Sequence, residues 1–223
     1  MAPGVIGMVK SLQGDTQLFV PAYWEDAKQE LMKRDRIMRR IIPMFGDLHL
    51  VGRGDPFTTL ARSIVGQQIS VKAADAVWGR VVAQIPEITP QAVAAASAET
   101  LRACGLSARK VEYFGDLAAR FADGRIQPKR WPRMSDEALI EELSATRGIG
   151  VWTVEMLLIF NLMRPDVFPL DDKGLQRAVS LHYCDGIPLT RRELLAFGER
   201  WRPWRSVATW FLWRSLDPVP VDY

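Results

Sequence analysis

From about residue 20 onward, apolar residues recur every three or four positions, and no bounded run alternates polar with apolar, so the chain is expected to form helices without a substantial sheet. The helix starts are marked. Asp55-Pro56 opens a segment with Phe57, Leu60, Ile64 and Val65 at helical spacing, the proline standing where a first-turn amide would have no partner. Ser70 precedes Ala74, Val77, Trp78 and Val81, and Ser107 precedes Val111, Phe114, Leu117 and Phe121 with Gly124 as the stop. Ser135, followed by Asp136 and Glu137, starts a helix carrying Leu139, Ile140 and Leu143, while Thr190 and Pro203 open the last two. These signals predict an all-α fold of about ten helices, with residues 1–20 as a flexible arm.

Composition excludes several classes. The chain has 223 residues, 48% hydrophobic and 25% charged, the balance of a soluble protein with a proper core. Its longest strong apolar run, Met156 to Met163, is far below the roughly 20 residues a membrane span needs. The N-terminus lacks the charged start and long apolar stretch of a secretory signal, so a cytoplasmic protein is expected. Two cysteines, Cys104 and Cys184, suggest free thiols rather than a disulfide framework. A net charge of +3 permits nucleic-acid binding without demanding it. Basic residues gather at Lys33, Arg34, Arg36, Arg39 and Arg40, and again at Arg191, Arg192, Arg200, Arg202 and Arg205. Acidic neighbours dilute both groups, which also read as solvated helix faces.

The chemistry concentrates between Leu143 and Val179. A helix crosses Gly148-Ile149-Gly150 and a new helix begins at once. Two glycines two apart allow a sharp turn and leave backbone amides uncovered at a helix start, a site for an anion such as a phosphate. The same pattern also serves as a plain interhelical turn. Downstream, Asp171-Asp172 leads into Leu175, Ala178 and Val179. An aspartate there can cap the helix. A charged carboxylate can also stabilise a sugar oxocarbenium ion or orient the attacking water.

The glycine hairpin, Trp152-Thr153 after it and Asp172 beyond together resemble the helix-hairpin-helix DNA glycosylase superfamily. Within it the pattern is closest to the alkylation-repair branch typified by bacterial DNA-3-methyladenine glycosylase II. The segment from Arg62 to Ser70 resembles that family's DNA-probing loop, and Glu199 to Ser206 its penultimate loop and helix. The resemblance implies two lobes flanking a cleft, a middle lobe of about 56–165 and a second lobe of about 21–55 plus 166–223 within one domain spanning 21–223. It makes Asp172 the catalytic carboxylate and Asp171 a structural neighbour. It places Trp152, Met156 and Trp213 at the base pocket, and Gln68, Arg147, Gly148, Gly150 and Thr153 at the DNA, with Gln68 filling the gap left by a flipped base. It also implicates the backbone carbonyls of Ser144, Thr146 and Ile149 in holding Na+ or K+.

Departures from the pattern are informative. The alkylation enzyme has leucine where this chain has Gln68, and a pocket tyrosine where it has Met156. The stretch before Pro56 is too short for that enzyme's N-terminal sheet domain. Relatives that also nick the strand carry a lysine at the position of Trp152, and an indole cannot form their Schiff base. Iron–sulfur relatives need four cysteines. The expectation is therefore a cluster-free, monofunctional, monomeric enzyme of base excision repair, needing no catalytic cofactor and acting on damaged duplex DNA of the bacterial nucleoid. Cationic purines such as 3-methyladenine and 7-methylguanine suit an aromatic pocket without an evident general acid, because their glycosidic bond is already weakened. Neither His49 nor His182 falls in a matched motif, and Trp24, Trp78 and Trp131 read as core. Two alternatives stand beside this: a non-catalytic helix-hairpin-helix DNA-binding module, and a glycosylase for oxidised or mismatched bases.

Overall fold

In a computed structural model, residues 20–52 and 54–216 are described, and among them there are twelve α-helices, three short 3-10 turns and no strand. The arm expected over residues 1–20 lies almost wholly outside the described residues. The helix count exceeds the expected ten because three helices have only six residues, too few for a hydrophobic period to show. No described helix is long and apolar enough to cross a membrane. The chain divides into two compact units, one formed by the described residues up to Gly52 and from Leu158 onward, the other by Arg53–Leu157.

The second unit contains α3 (Pro56–Gly66), α4 (Val71–Gln84), α5 (Pro90–Ala95), α6 (Ala98–Ala103), α7 (Ala108–Ala122), α8 (Asp136–Ser144) and most of α9 (Val151–Phe160). Six of these helices start in the same way. Asp55, Ser70, Thr89, Ser97, Ser107 and Ser135 each accept a hydrogen bond from the amide three residues on. Each such cap is worth about 1 kcal/mol. Helix α7 forms the spine of the unit, packing against α3, α5 and α6 through Phe114, Leu117 and Ala118. Phe121 sits edge-on to Phe57 at 5.1 Å and to Trp131 at 6.5 Å. Trp131 is fully buried, as expected, whereas Trp78 is only partly so.

The first unit holds α1 (Trp24–Arg34), α2 (Arg36–Ile41), α10 (Lys173–Tyr183), α11 (Arg191–Gly198) and α12 (Arg205–Leu216). Seven consecutive residues of α12, Ser206 to Leu212, are buried, so this helix has no solvent face along that stretch and serves as the core. Trp24 meets Trp210 edge-on at 5.2 Å and stacks on Phe211 at 5.6 Å. Asp35 is a buried carboxyl group well supplied with hydrogen-bond donors. It accepts from the amides of Ile37 and Met38, the Tyr183 hydroxyl and the Trp201 indole, pinning the α1–α2 junction to α10. Thr190 opens α11 with a reciprocal capping box. The last helix begins at Arg205 rather than at Pro203. Trp204 first closes a turn onto the Trp201 carbonyl, and the Arg205 amide then donates to Asp166.

Candidate functional site

In the second unit the glycine hairpin joins α8 to α9 and is held from outside by side chains of α7 and of the α3–α4 loop. Gly148 has φ +83°, open to glycine at little cost, and a Cβ there would run into the Tyr113 ring. The Arg147 amide donates to Asp116 Oδ2 at 2.9 Å, and the Ile149 amide donates to the Thr146 carbonyl at 3.1 Å. The alternate amides, Gly148 and Gly150, have no acceptor among the described residues. Two unsatisfied donors at a helix start are what a phosphate oxygen requires. Gly150 differs from Gly148 in having nothing within 4 Å of an added Cβ, so its small size leaves open space rather than relieving a clash.

Asp116 is the electrostatic anchor of this arrangement. Burial opposes its charge, but the Arg147 amide and the Arg120 guanidinium 3.0 Å away together hold the carboxyl below its ordinary value. Nearly two turns earlier on the same helix, Lys110 donates to the Val65 carbonyl at 2.6 Å, and burial lowers its pKa. That bond fixes the end of α3, where the α3–α4 loop begins. Within the loop Gln67 donates from Nε2 to the Gly148 carbonyl at 2.7 Å. Gln68 is exposed and has φ +59°, an unusual conformation for a residue with a Cβ. Such strain persists where the surroundings impose it, often at working sites.

On α9, Trp152 is 40% exposed and Met156, one turn on, is partly buried. Thr153 is only 6% exposed, so its side chain packs within the unit. Arg147 is exposed, 3.8 Å from Glu112. The Ser144 and Thr146 hydroxyls are buried without a hydrogen-bond partner among the described residues.

In the first unit the structure separates the two aspartates. Asp171 is exposed and faces Arg191 at 3.4 Å. Asp172 caps α10: its Oδ1 accepts from the Leu175 amide at 2.6 Å and from the Trp213 indole at 2.7 Å. Trp213, read as a pocket wall, is therefore also a donor to the carboxylate, and its ring stacks on Phe160 at 5.9 Å. Gly174 makes this possible, since a Cβ there would lie 3.0 Å from Trp213 Cδ1 and 3.1 Å from Asp172 Oδ1. The approach to Asp172 is anchored by Asp166, paired with Arg202 and Arg205 at 2.7 Å each, and by Ser206 Oγ, which accepts from the Val167 amide and donates to the Arg164 carbonyl. His182 is engaged with Ser215 Oγ at 2.7 Å.

Sequence reasoning missed Gln67, Tyr113, Asp116 and Gly174. A glycine in the first turn of a helix was a readable signal for the last. The others act on partners tens of residues away, and no local pattern announces that.

A glycine hairpin between two helices, with free amides, and a helix-capping aspartate downstream place the chain in the class of helix-hairpin-helix proteins. The chain belongs to the HhH-GPD superfamily of base excision DNA repair proteins, whose model matches residues 61–203. That match includes Gln68, the hairpin and Asp172, and ends before Trp213. DNA-3-methyladenine glycosylase 1 of Schizosaccharomyces pombe is 36% identical over 199 residues, 85% of this chain and 86% of that protein. The crystal structure of a DNA-3-methyladenine glycosidase from Bacillus halodurans matches with a TM-score of 0.80 and 32% identity, covering 91% of this chain and 93% of that one. A 3-methyladenine DNA glycosylase of S. pombe in complex with abasic DNA matches with a TM-score of 0.73 and 32% identity, covering 89% and 98%.

Proposed function

We propose that this protein is a monofunctional glycosylase of the DNA-3-methyladenine glycosylase II type, releasing alkylated purines, 3-methyladenine and 7-methylguanine, from duplex DNA. The observation that carries the reading is the Asp172 carboxylate, held at the start of α10 by its own capping bond and by the Trp213 indole. The names of the relatives agree with it. Asp172 has the role of stabilising positive charge as the C1′–N bond breaks. The bonding pair leaves with the base and neutralises its charge, so no general acid is needed for that step. Water then adds to C1′ and loses a proton, and Asp172 is the group to orient it. Two fixed donors on Oδ1 keep the carboxylate oriented before the nucleotide arrives, which is where such a group derives its effect.

The hairpin grips backbone phosphate through the Gly148 and Gly150 amides, with Arg147 beside them, and Gln68 enters the stack where the damaged base leaves it. Trp152 and Met156 on α9 offer a cationic base an aromatic face and a sulfur. Trp152 cannot form a Schiff base, so the product is an intact abasic site. The carbonyls of Ser144, Thr146 and Ile149 would hold a monovalent cation. The buried hydroxyls of Ser144 and Thr146, neutral hard oxygens without a partner, fit such an ion and not a soft metal. Bound there, it would add positive charge beside the phosphate. The enzyme works as a monomer on the DNA of the bacterial cytoplasm.

The test is a panel of duplexes, each with one lesion, scored for free base and for strand scission under single-turnover conditions. Release of 7-methylguanine faster than uracil or 8-oxoguanine, without scission, is expected. Binding without release from any duplex would leave a DNA-binding module, and preferred release of an oxidised base would move the substrate class.

A further inference from the structure

We propose that Gln67 is a positioning residue that couples the Gln68 loop to the phosphate-gripping hairpin, so that insertion into the stack and grip on the backbone act as one event. This rests on the proposed glycosylase function. The bond from Gln67 Nε2 to the Gly148 carbonyl spans 81 positions of sequence at 2.7 Å. Its acceptor belongs to the peptide plane between Gly148 and Ile149. Holding that carbonyl holds the plane, whose amide is turned to Thr146, and so fixes which hairpin amides remain for DNA: Gly148 and Gly150. Its donor immediately precedes Gln68, whose left-handed backbone, φ +59°, needs its neighbours fixed in order to persist.

A second attachment holds the same, N-terminal side of the loop. Lys110 holds the Val65 carbonyl, two residues before Gln67, while Tyr113 and Asp116 of the same helix hold Gly148 and the Arg147 amide. Spacings of three place Lys110, Tyr113 and Asp116 along one face of α7. The helix is thus a rail to which both loops are fastened, and Gln67 is the direct tie between them. The side chain must donate at this reach. A glutamate has the same length but turns an acceptor toward an acceptor, and an alanine leaves the carbonyl without a partner.

The experiment is a double-mutant cycle at positions 67 and 68. It is read as single-turnover release of 7-methylguanine from a duplex in which the lesion faces cytosine, and from one in which it faces an abasic gap. Affinity for an abasic-analogue duplex is measured alongside. Gln67→Ala should slow release from the paired duplex about tenfold, the size expected when a reacting geometry is loosened without loss of a reacting group. Gln67→Glu should match it. In the Gln68→Ala background the same change should cost less than about threefold, because the plug it positions is gone. On the gapped duplex both single variants should approach the wild type. Multiplying effects, or equal loss on both duplexes, would overturn the coupling. Should Gln67→Ala lower the melting temperature, the isosteric Gln67→Glu carries the comparison. If the wild type releases no base from any duplex, the glycosylase function fails, and the coupling is judged by non-additivity in affinity for the abasic-analogue duplex.

Discussion

The hairpin and the Asp172 corner solve different problems with different materials. The hairpin presents backbone amides, which no substitution other than proline removes, and is held by Gln67, Tyr113 and Asp116 acting from outside it. The Asp172 corner presents one carboxylate, oriented by one amide and one indole. A grip distributed over several supports should fail by degrees and in affinity. A single charge should fail at once and in rate.

The sharpest break is at the charge. Asp172→Asn keeps the shape and the capping acceptor, so folding and DNA affinity should hold within about twofold while base release falls at least about 10²–10³-fold, the range for losing one electrostatic stabiliser. Single-turnover release and fluorescence anisotropy on the same duplex check it. Near-normal release would end the contrast between the two regions, and a collapse seen only in Asp171→Asn would transfer the role to the neighbour.

Next is the orientation of that charge. Trp213→Phe preserves the ring against Phe160 and removes the donor to Asp172. A hydrogen bond to a charged group contributes about 1.5–3 kcal/mol to the fold, so the melting temperature should fall by several degrees, and release measured below it should slow about tenfold or more as the carboxylate loses its orientation. If Trp213→Phe behaves as wild type while Trp213→Ala does not, the ring matters for packing or stacking alone and the indole N–H does nothing for rate.

At the hairpin the two glycines should part company. Gly148→Ala meets both the left-handed backbone and the Tyr113 ring, and should destabilise the fold by about 1–3 kcal/mol along with weakening every duplex alike. Gly150→Ala meets no neighbour and should leave the melting temperature unchanged, yet lower affinity if a phosphate comes close there. Sequence-selective loss in either variant would argue against backbone-amide contact.

The smallest effect concerns pH. The folded state holds the Asp116 carboxyl below its ordinary value of 3.8, so its contribution to stability is fully present above that pH and is lost as pH falls through the lower, folded value. Asp116→Asn should therefore be less stable than wild type near neutrality, and the difference should shrink as the pH falls through the lower, folded-state value. Curves that stay parallel throughout would remove Asp116 from the support of the hairpin.

Much of this was open to a reader of the sequence alone. Helix starts are local events, since an N-cap oxygen reaches an amide only three residues away, and Asp55, Ser70, Ser107, Ser135 and Thr190 all cap where the sequence places them. The all-α class followed from the period of the apolar residues. The glycine turn and an aspartate ahead of a helix are short-range patterns and were visible as such, while the choice of Asp172 from the pair came from the family resemblance. The sequence could not show which groups support them. Tyr113 covering Gly148, Gln67 reaching its carbonyl and Trp213 turning its indole to Asp172 join residues 35, 81 and 41 positions apart. Such pairs exist only once helices have packed, because a hydrogen bond needs its partners within about 3 Å and no periodicity along the chain encodes that meeting.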